Sequence, residues 1–248
     1  MKPILFSLGP FHLYSFGLMV ALGVLLSLYG MLRRAKHDGF PPDPNDVYDL
    51  VFVTVLVGFL GARLFYVFQN FDWYLQHPLR IFAFWEGGIV FYGGFIGAFA
   101  AIVITAKVKQ FFILRVFDFL FPFVALSHAF GRMGCFLNGC CYGRLCNLPW
   151  AVSFPGIAGT RHPTQLYEAF YNLCLFFYLN ARYKKRQFQG EITGLYFVLY
   201  GIGRFVIEFW RADNPFLGVL TWNQWLSLFI ILAGSLFFAK GKQRPINL

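Results

Sequence analysis

The sequence predicts an all-α integral membrane protein with about seven transmembrane helices, and three observations carry that prediction. Of 248 residues, 58% are hydrophobic and only 13% are charged, whereas a soluble domain averages about 25% charged residues. The mean hydropathy is +0.58, and 34 residues are Phe. Seven apolar runs recur along the chain, each close to the roughly 20 residues a helix needs to cross about 30 Å of hydrocarbon. The formal charge of +10 therefore reads as membrane topology and not as a footprint for nucleic acid, which is not expected as a partner.

The runs fall at roughly 12–32, 47–69, 87–106, 117–137, 163–181, 192–210 and 222–239. Ahead of the first stand Lys2 and the Gly9-Pro10 pair, with no small-residue cleavage site after the run, so it is expected to be a retained helix and not a removed signal peptide. Basic clusters follow the first run (Arg33, Arg34, Lys36), the third (Lys107, Lys109, Arg115), the fifth (Arg182, Lys184, Lys185, Arg186) and the seventh (Lys240, Lys242, Arg244). Every second connection is basic, which places those connections and the C-terminus in the cytoplasm and the N-terminus outside. The connection at 138–162 holds Gly139, Gly143, Pro149, Pro155, Gly156 and Gly159, which favour a short folded outside cap over a helix. No linker or convincing repeat divides the chain, so one membrane domain over 1–248 is expected. Gly88, Gly93, Gly94 and Gly97 give the third run small-xxx-small character, a sign of close helix packing. Trp73, Trp85, Trp150, Trp210, Trp222 and Trp225 gather toward inferred outer ends, where an aromatic belt would put them.

Against this apolar background, Arg63, Arg132 and Arg204 each sit inside a long run. A guanidinium at membrane depth costs several kcal/mol and is usually kept for an ion, a phosphate or another buried charge. At 1.5 Å per residue, the three lie roughly 24, 22 and 18 Å from the cytoplasmic starts of their helices, in the outer half of each. Tyr92, His162, Gln165 and Glu168 lie near the outer ends of inward-running helices and reach the same layer. Buried polar pairs that only hold helices together would give the same pattern. In the sixth run, Tyr200, Arg204, Glu208 and Arg211 follow an i, i+4, i+8, i+11 spacing that lines one helical face, so Arg204 and Glu208 can pair. The arginines outnumber the carboxylates at this depth, and the abundant anion there is a lipid phosphate.

The fourth run and the loop after it read HAFGRMGCFLNGCCYGR, with Gly131, Gly134, Gly139 and Gly143 around Arg132 and Asn138. Glycines at that density let backbone approach a ligand and end the helix. Here the chain resembles the bacterial prolipoprotein diacylglyceryl transferases, whose hallmark run matches Gly131, Arg132, Gly134, Phe136, Asn138 and Gly139. RHPTQLYE at 161–168, GGIVFYGGFIG at 87–97 and YGIGRFVIEFWR at 200–211 resemble three more elements of that family, and 58–67 and 223–227 match more weakly. The order and spacing are compatible from about Ile4 to Gly234.

The resemblance implies transfer of the diacylglyceryl group of phosphatidylglycerol to the thiol of a lipobox cysteine just after a prolipoprotein signal peptide, in the bacterial cytoplasmic membrane. Glycerol phosphate is released and no cofactor is implied. The product is a thioether, so the reaction alkylates sulfur at a lipid carbon and needs no Ser-His-Asp triad. It needs a neutralised phosphate leaving group and a thiol, ordinarily of pKa near 8.5, that loses its proton. Arg132 and Arg204 are expected to clamp the phosphate, with Asn138 and Tyr200 as hydrogen-bonding helpers and Glu208 orienting Arg204. Arg63, Gln165, Glu168 and Arg211 complete the expected substrate-binding set.

For the base, many family members carry a histidine where this chain has Tyr92, and His162 is the alternative with a better intrinsic pKa. His162 could equally fix the junction beside Pro163. Cys135 and Cys140 stand where many relatives have Asn and Glu, and Phe16 stands at an early tyrosine position. The C-x4-C-C-x4-C spacing of Cys135, Cys140, Cys141 and Cys146 is not a standard zinc pattern, so no metal is expected from it. A disulfide among Cys140, Cys141 and Cys146, or simple packing, are the open readings there, and Cys174 reads as core. His128, four residues before Arg132, reads as a packing residue. An anion transporter or a non-catalytic lipid-binding scaffold is the alternative function.

Overall fold

A computed structural model gives the fold and describes residues 1–8, 11–84, 87–212 and 215–241. Gly9, Pro10, Trp85, Lys242 and Arg244, singled out above, lie outside the described residues. The chain is mainly helical, with α1 Ser15–Asp38, α2 Pro44–Gln69, α3 Phe71–Gln76, α4 Phe91–Val108, α5 Ile113–Asn138, α6 Thr164–Tyr183, α7 Glu191–Glu208 and α8 Trp222–Gly241. A short 3-10 turn, Pro78–Phe82, follows α3. Each of the seven apolar runs is a helix. Five of them, α1, α2, α4, α5 and α8, are long and apolar enough to cross a membrane, which makes this a multi-pass membrane protein. The two long helices outside that set, α6 and α7, carry the buried Glu168, Asn172, Glu191 and Glu208, and polar content sets them apart.

The structure adds three antiparallel hairpins, β1 Ile4–Leu8 with β2 Phe11–Tyr14, β3 Val152–Ser153 with β4 Thr160–Arg161, and β5 Phe216–Leu217 with β6 Leu220–Thr221. The first of these moves the expected start of the first helix from 12 to Ser15, because residues 11–14 pair as a strand instead. The second lies in the glycine- and proline-rich connection after α5, which is folded and non-helical as its composition predicts. The third helix begins at Phe91 and not at 87, since Gly87 and Gly88 take left-handed φ values of 79° and 76°.

The chain forms two compact units, residues 31–116 and residues 1–30 with 117–248. In the first, α2 starts at Asp43, whose side chain accepts from the backbone N–H of Asn45 at 2.8 Å, with Pro44 opening the helix. Helices α2 and α4 pack antiparallel, backbone against backbone. A Cβ on Gly61 would come within 2.6 Å of the Gly93 carbonyl oxygen, and one on Gly97 within 2.6 Å of the Val57 carbonyl oxygen. The glycine stripe is therefore a packing device, as small residues are where lipid supplies no hydrophobic drive between helices. At the far end of α4, Lys109 pairs with Asp46 at 2.7 Å and Asp49 at 2.8 Å, and those hydrogen bonds hold its pKa above the ordinary lysine value.

In the second unit, α7 packs against α6 and α8. The start of α7 is fixed by Asp118 of α5, fully buried, which accepts from the N–H of Gly190 at 2.6 Å and from the N–H and hydroxyl of Thr193 at 2.9 and 2.8 Å. Arg182 and Glu191 add an ion pair at 2.6 Å across the α6–α7 turn. Helix α8 opens on a capping box: Thr221 N–H donates to Gln224 Oε1 at 2.9 Å while Gln224 N–H donates to the Thr221 hydroxyl at 3.2 Å. These caps set the register in which the polar residues of α7 face their partners.

Gly97→Val places carbon where the Val57 carbonyl stands. It should destabilise the α2–α4 pair by about 1–3 kcal/mol, the usual cost of overpacking. A lowered thermal midpoint in detergent checks this, and an unchanged midpoint would contradict the close approach.

Candidate functional site

Glu168, on the first turns of α6 and only 2% exposed, lies at the centre of the polar cluster. Arg132 reaches it from α5 at 2.6 Å, Arg204 from α7 at 3.3 Å and Arg211, three residues past α7, at 3.4 Å. Glu208, equally buried, pairs with Arg204 at 2.9 Å, the i, i+4 contact that the spacing allows, and stands 4.0 Å from Arg211. Its other oxygen accepts from the Thr221 hydroxyl at 2.9 Å and the Asn223 amide at 3.1 Å. Three guanidiniums thus share two carboxylates, which leaves one positive charge unbalanced. The carboxylate side chains are no more than 3% exposed, while those of Arg132, Arg204 and Arg211 are 19%, 14% and 11% exposed. The acids lie behind and the forks in front. Among the described residues, both terminal nitrogens of Arg132 and Nε and Nη2 of Arg204 make no hydrogen bond to protein.

His128 and Tyr200 border this cluster. Arg132 Nε also donates to His128 Nε2 at 3.2 Å, and the His128 ring lies 5.5 Å from that of Tyr200, so His128 belongs to the site's wall and is not plain packing. Tyr200 in turn stacks on Tyr196 at 5.5 Å. Gln165, fully buried, donates from its amide to the Cys140 carbonyl at 2.5 Å. Asn138 is the last residue of α5 and is exposed, with no hydrogen bond from its side chain among the described residues.

His162 joins a small aromatic box. Its Nδ1 lies 3.2 Å from the Tyr167 hydroxyl, which also accepts from Trp150 Nε1 at 2.8 Å, and the Trp210 ring closes the group 6.3 Å from the imidazole. Burial holds the His162 pKa below the ordinary histidine value. Its backbone is fixed as well, with Gly143 N–H donating to the His162 carbonyl at 2.8 Å and His162 N–H donating to that of Arg144 at 3.1 Å. Gly143 is threaded between two segments: a Cβ there would meet the Trp210 carbonyl oxygen and come within 2.7 Å of the His162 Cβ. The Gly143–Arg211 bridge and the Arg144 N–H to Trp210 carbonyl bond at 2.8 Å tie the end of α7 to this loop.

In the unit of residues 31–116, Arg63 is only 2% exposed. Its Nε donates to the Ile81 carbonyl at 3.0 Å, Nη2 to those of Arg80 and Ala83 at 2.7 and 3.2 Å, and Nη1 to those of Gly87 and Gly88. Every N–H of the guanidinium is taken by backbone. Arg63, expected in the substrate-binding set, thus spends its fork on main chain, because the left-handed Gly87-Gly88 pair turns its carbonyls toward it. Tyr92 opens α4, is 56% exposed and lies edge-on to Phe91.

The five cysteines are free thiols, and Cys174 is exposed on α6, where core was expected. Cys135, Cys140 and Cys141 converge, with their sulfurs all within 4.8 Å of one another. The expected group of Cys140, Cys141 and Cys146 is thus replaced by one that draws in Cys135 from the last turn of α5. Asp118, Thr221, Asn223 and the thiol triad are the structural features that the reading of the sequence missed. Only the Thr221–Gln224 capping box left a signal that could have been found.

This architecture defines a multi-pass helical membrane protein with a built cationic site. The family model for prolipoprotein diacylglyceryl transferase matches residues 3–240. The chain is 38% identical to the phosphatidylglycerol–prolipoprotein diacylglyceryl transferase of Pasteurella multocida (strain Pm70), over 98% of this chain and 95% of that protein. It is 34% identical to the protein of the same name from Clostridium tetani, over 96% and 97%, and 38% identical to that of Aeromonas salmonicida, over 98% and 91%. The chain belongs to the prolipoprotein diacylglyceryl transferase family and is a transferase.

Glu168→Gln keeps the volume but removes half of the cluster's negative charge, leaving three guanidiniums with one carboxylate. Breaking a buried pair costs about 3–5 kcal/mol, so a fall of that size in unfolding free energy is expected. Chemical denaturation in detergent measures it, and a variant as stable as the parent would show the arginines to be paired elsewhere.

Proposed function

We propose that this chain transfers the diacylglyceryl group of phosphatidylglycerol to the lipobox thiol of a prolipoprotein, forming a thioether and releasing glycerol phosphate, the first step of lipoprotein maturation. The observation that carries the reading is the shared cluster, in which forks face outward from buried carboxylates and one charge is left for an anion. Arg132 and Arg204 take the lipid phosphate and neutralise the charge that grows on it as the carbon–oxygen bond breaks. Glu208 and Glu168 hold those arginines in place, Arg211 supports Glu168, and Tyr200 and Asn138 supply further hydrogen bonds. Gln165 acts through the Cys140 carbonyl that it holds, and Arg63, within its own unit, contributes to substrate binding through the backbone of residues 80–83, 87 and 88 that it gathers. His162 is the assigned acceptor of the thiol proton, with Tyr92 the alternative.

The catalytic domain is the whole of 1–248, with seven spans in the bacterial cytoplasmic membrane. In this reading α6 and α7 cross too, because their charges are met by partners inside the protein. The alternating basic connections put the N-terminus outside, the C-terminus in the cytoplasm and the 138–162 cap and arginine cluster toward the outer leaflet. The prolipoprotein signal peptide and membrane lipids are the partners.

Incubating the purified protein with phosphatidylglycerol and a lipobox peptide tests this directly: a thioether-linked diacylglyceryl peptide is expected, and lipid binding without product would favour a scaffold instead. Arg132→Ala and Arg204→Ala should each insert normally and lose about 10²–10³ in rate. An active Arg204→Ala protein would remove it from the clamp. Because burial depresses the His162 pKa, its neutral form is already filled at neutral pH. The rate should therefore rise with pH through a midpoint below about 6.5 and then level off. His162→Ala should erase that acid limb and Tyr92→Phe should keep it; the reverse pattern moves the role to Tyr92.

A further inference from the structure

We infer that Cys135, Cys140 and Cys141 form a three-thiolate site for a zinc-class divalent cation, whose open fourth position receives the sulfur that is to be alkylated. The inference rests on the transferase reading above. The three sulfurs lie within 4.8 Å of one another, and ligands at about 2.3 Å from zinc put tetrahedral sulfurs about 3.8 Å apart, so closing on the cation takes only a small contraction. The spacing hides this arrangement because two structures combine to make it. Cys135 projects from the last turn of α5, and a left-handed turn at Gly139 (φ 76°) and Cys141 (φ 63°) brings the other two back toward it. A non-glycine residue in that conformation is strained and persists only where its surroundings hold it.

The surroundings do hold it. Gln165, fully buried, donates to the Cys140 carbonyl at 2.5 Å, and the Thr164 hydroxyl, also fully buried, donates to the Cys141 carbonyl at 2.9 Å. Both come from the start of α6, the helix that carries Glu168, so the thiol turn and the arginine cluster share one support. All three cysteines are half-buried, leaving a face open. Three protein ligands with an open position is the arrangement of a catalytic zinc, whereas structural sites are closed by four. Arg132 stands three residues before Cys135 on α5, and the Gly143–Arg211 bridge sets Arg211 beside the loop that carries Cys141, so positive charge lies next to the triad and favours three thiolates over three thiols.

The chemistry matches what the reaction requires. A thiol bound to such a cation is deprotonated outright, and the proton leaves to His162, the acceptor already assigned. The sulfur pair then forms the carbon–sulfur bond at the glyceryl carbon as the carbon–oxygen bond breaks, and glycerol phosphate departs with that bond's electron pair. No oxidant or reductant is needed.

Cobalt(II) titrated into metal-free, reduced full-length protein in detergent is the test. A thiolate-to-cobalt charge-transfer band is expected, lost in Cys135→Ser, Cys140→Ser or Cys141→Ser and retained in Cys146→Ser and Cys174→Ser. A lipobox peptide with its cysteine should shift the cobalt d–d bands, and the same peptide with serine should not. In the parent protein, where folding is not in question, chelation should lower transfer by at least the roughly 10–100-fold that loss of an outer-shell partner costs a metal site, and zinc(II) should restore it. Full transfer by chelated protein, or no band in the parent, overturns the metal site while the transferase reading stands. No transfer with zinc loaded, while the band still forms, sinks that reading instead.

Discussion

One carboxylate answering to three guanidiniums is the constraint on which the rest of its unit depends. Glu168 alone brings together α5, α6 and the end of α7, and a charge buried to that degree is tolerable only with well-placed partners. Much of the surrounding hardware serves that requirement. Asp118 fixes where α7 begins, the capping box fixes where α8 begins, and Thr221 and Asn223 then hold Glu208 so that it can hold Arg204. A short register error at any of these caps would separate the arginines from their acids.

The helices were legible because an apolar run of about 20 residues has few alternatives in hydrocarbon. The polar positions of α7 were legible for a related reason: at 3.6 residues per turn, Tyr200, Arg204, Glu208 and Arg211 can face only one way. The contribution of Asp118 was not, since a carboxylate in α5 gives no sign that the N–H groups of Gly190 and Thr193 will meet it. Nor was the role of Arg63, because spacing along a helix says nothing of a loop's carbonyls. The thiol triad was hidden by a turn, and the pairing of residues 4–8 with 11–14 by a composition as apolar as the helix it precedes.

The same contrast explains why α6 and α7 are less apolar than the other long helices while carrying the buried acids. A hydropathy measure scores each side chain as though lipid were its neighbour, but Glu168, Glu191 and Glu208 have arginines as neighbours. Their cost is met inside the fold, so an unfavourable score on a helix flanked by favourable ones marks a polar interior.

Arg63 carries a different consequence. Its fork reads main chain and not side chains, gathering the carbonyls of Arg80, Ile81, Ala83, Gly87 and Gly88. What that grip requires is the path of the main chain at residues 80–83, 87 and 88, and it makes no demand on the side chain of Ile81. Lysine, with three donors radiating from one nitrogen, has no geometry that spans such a ring of oxygens. At these carbonyls, backbone course and not side-chain identity is what the guanidinium recognises.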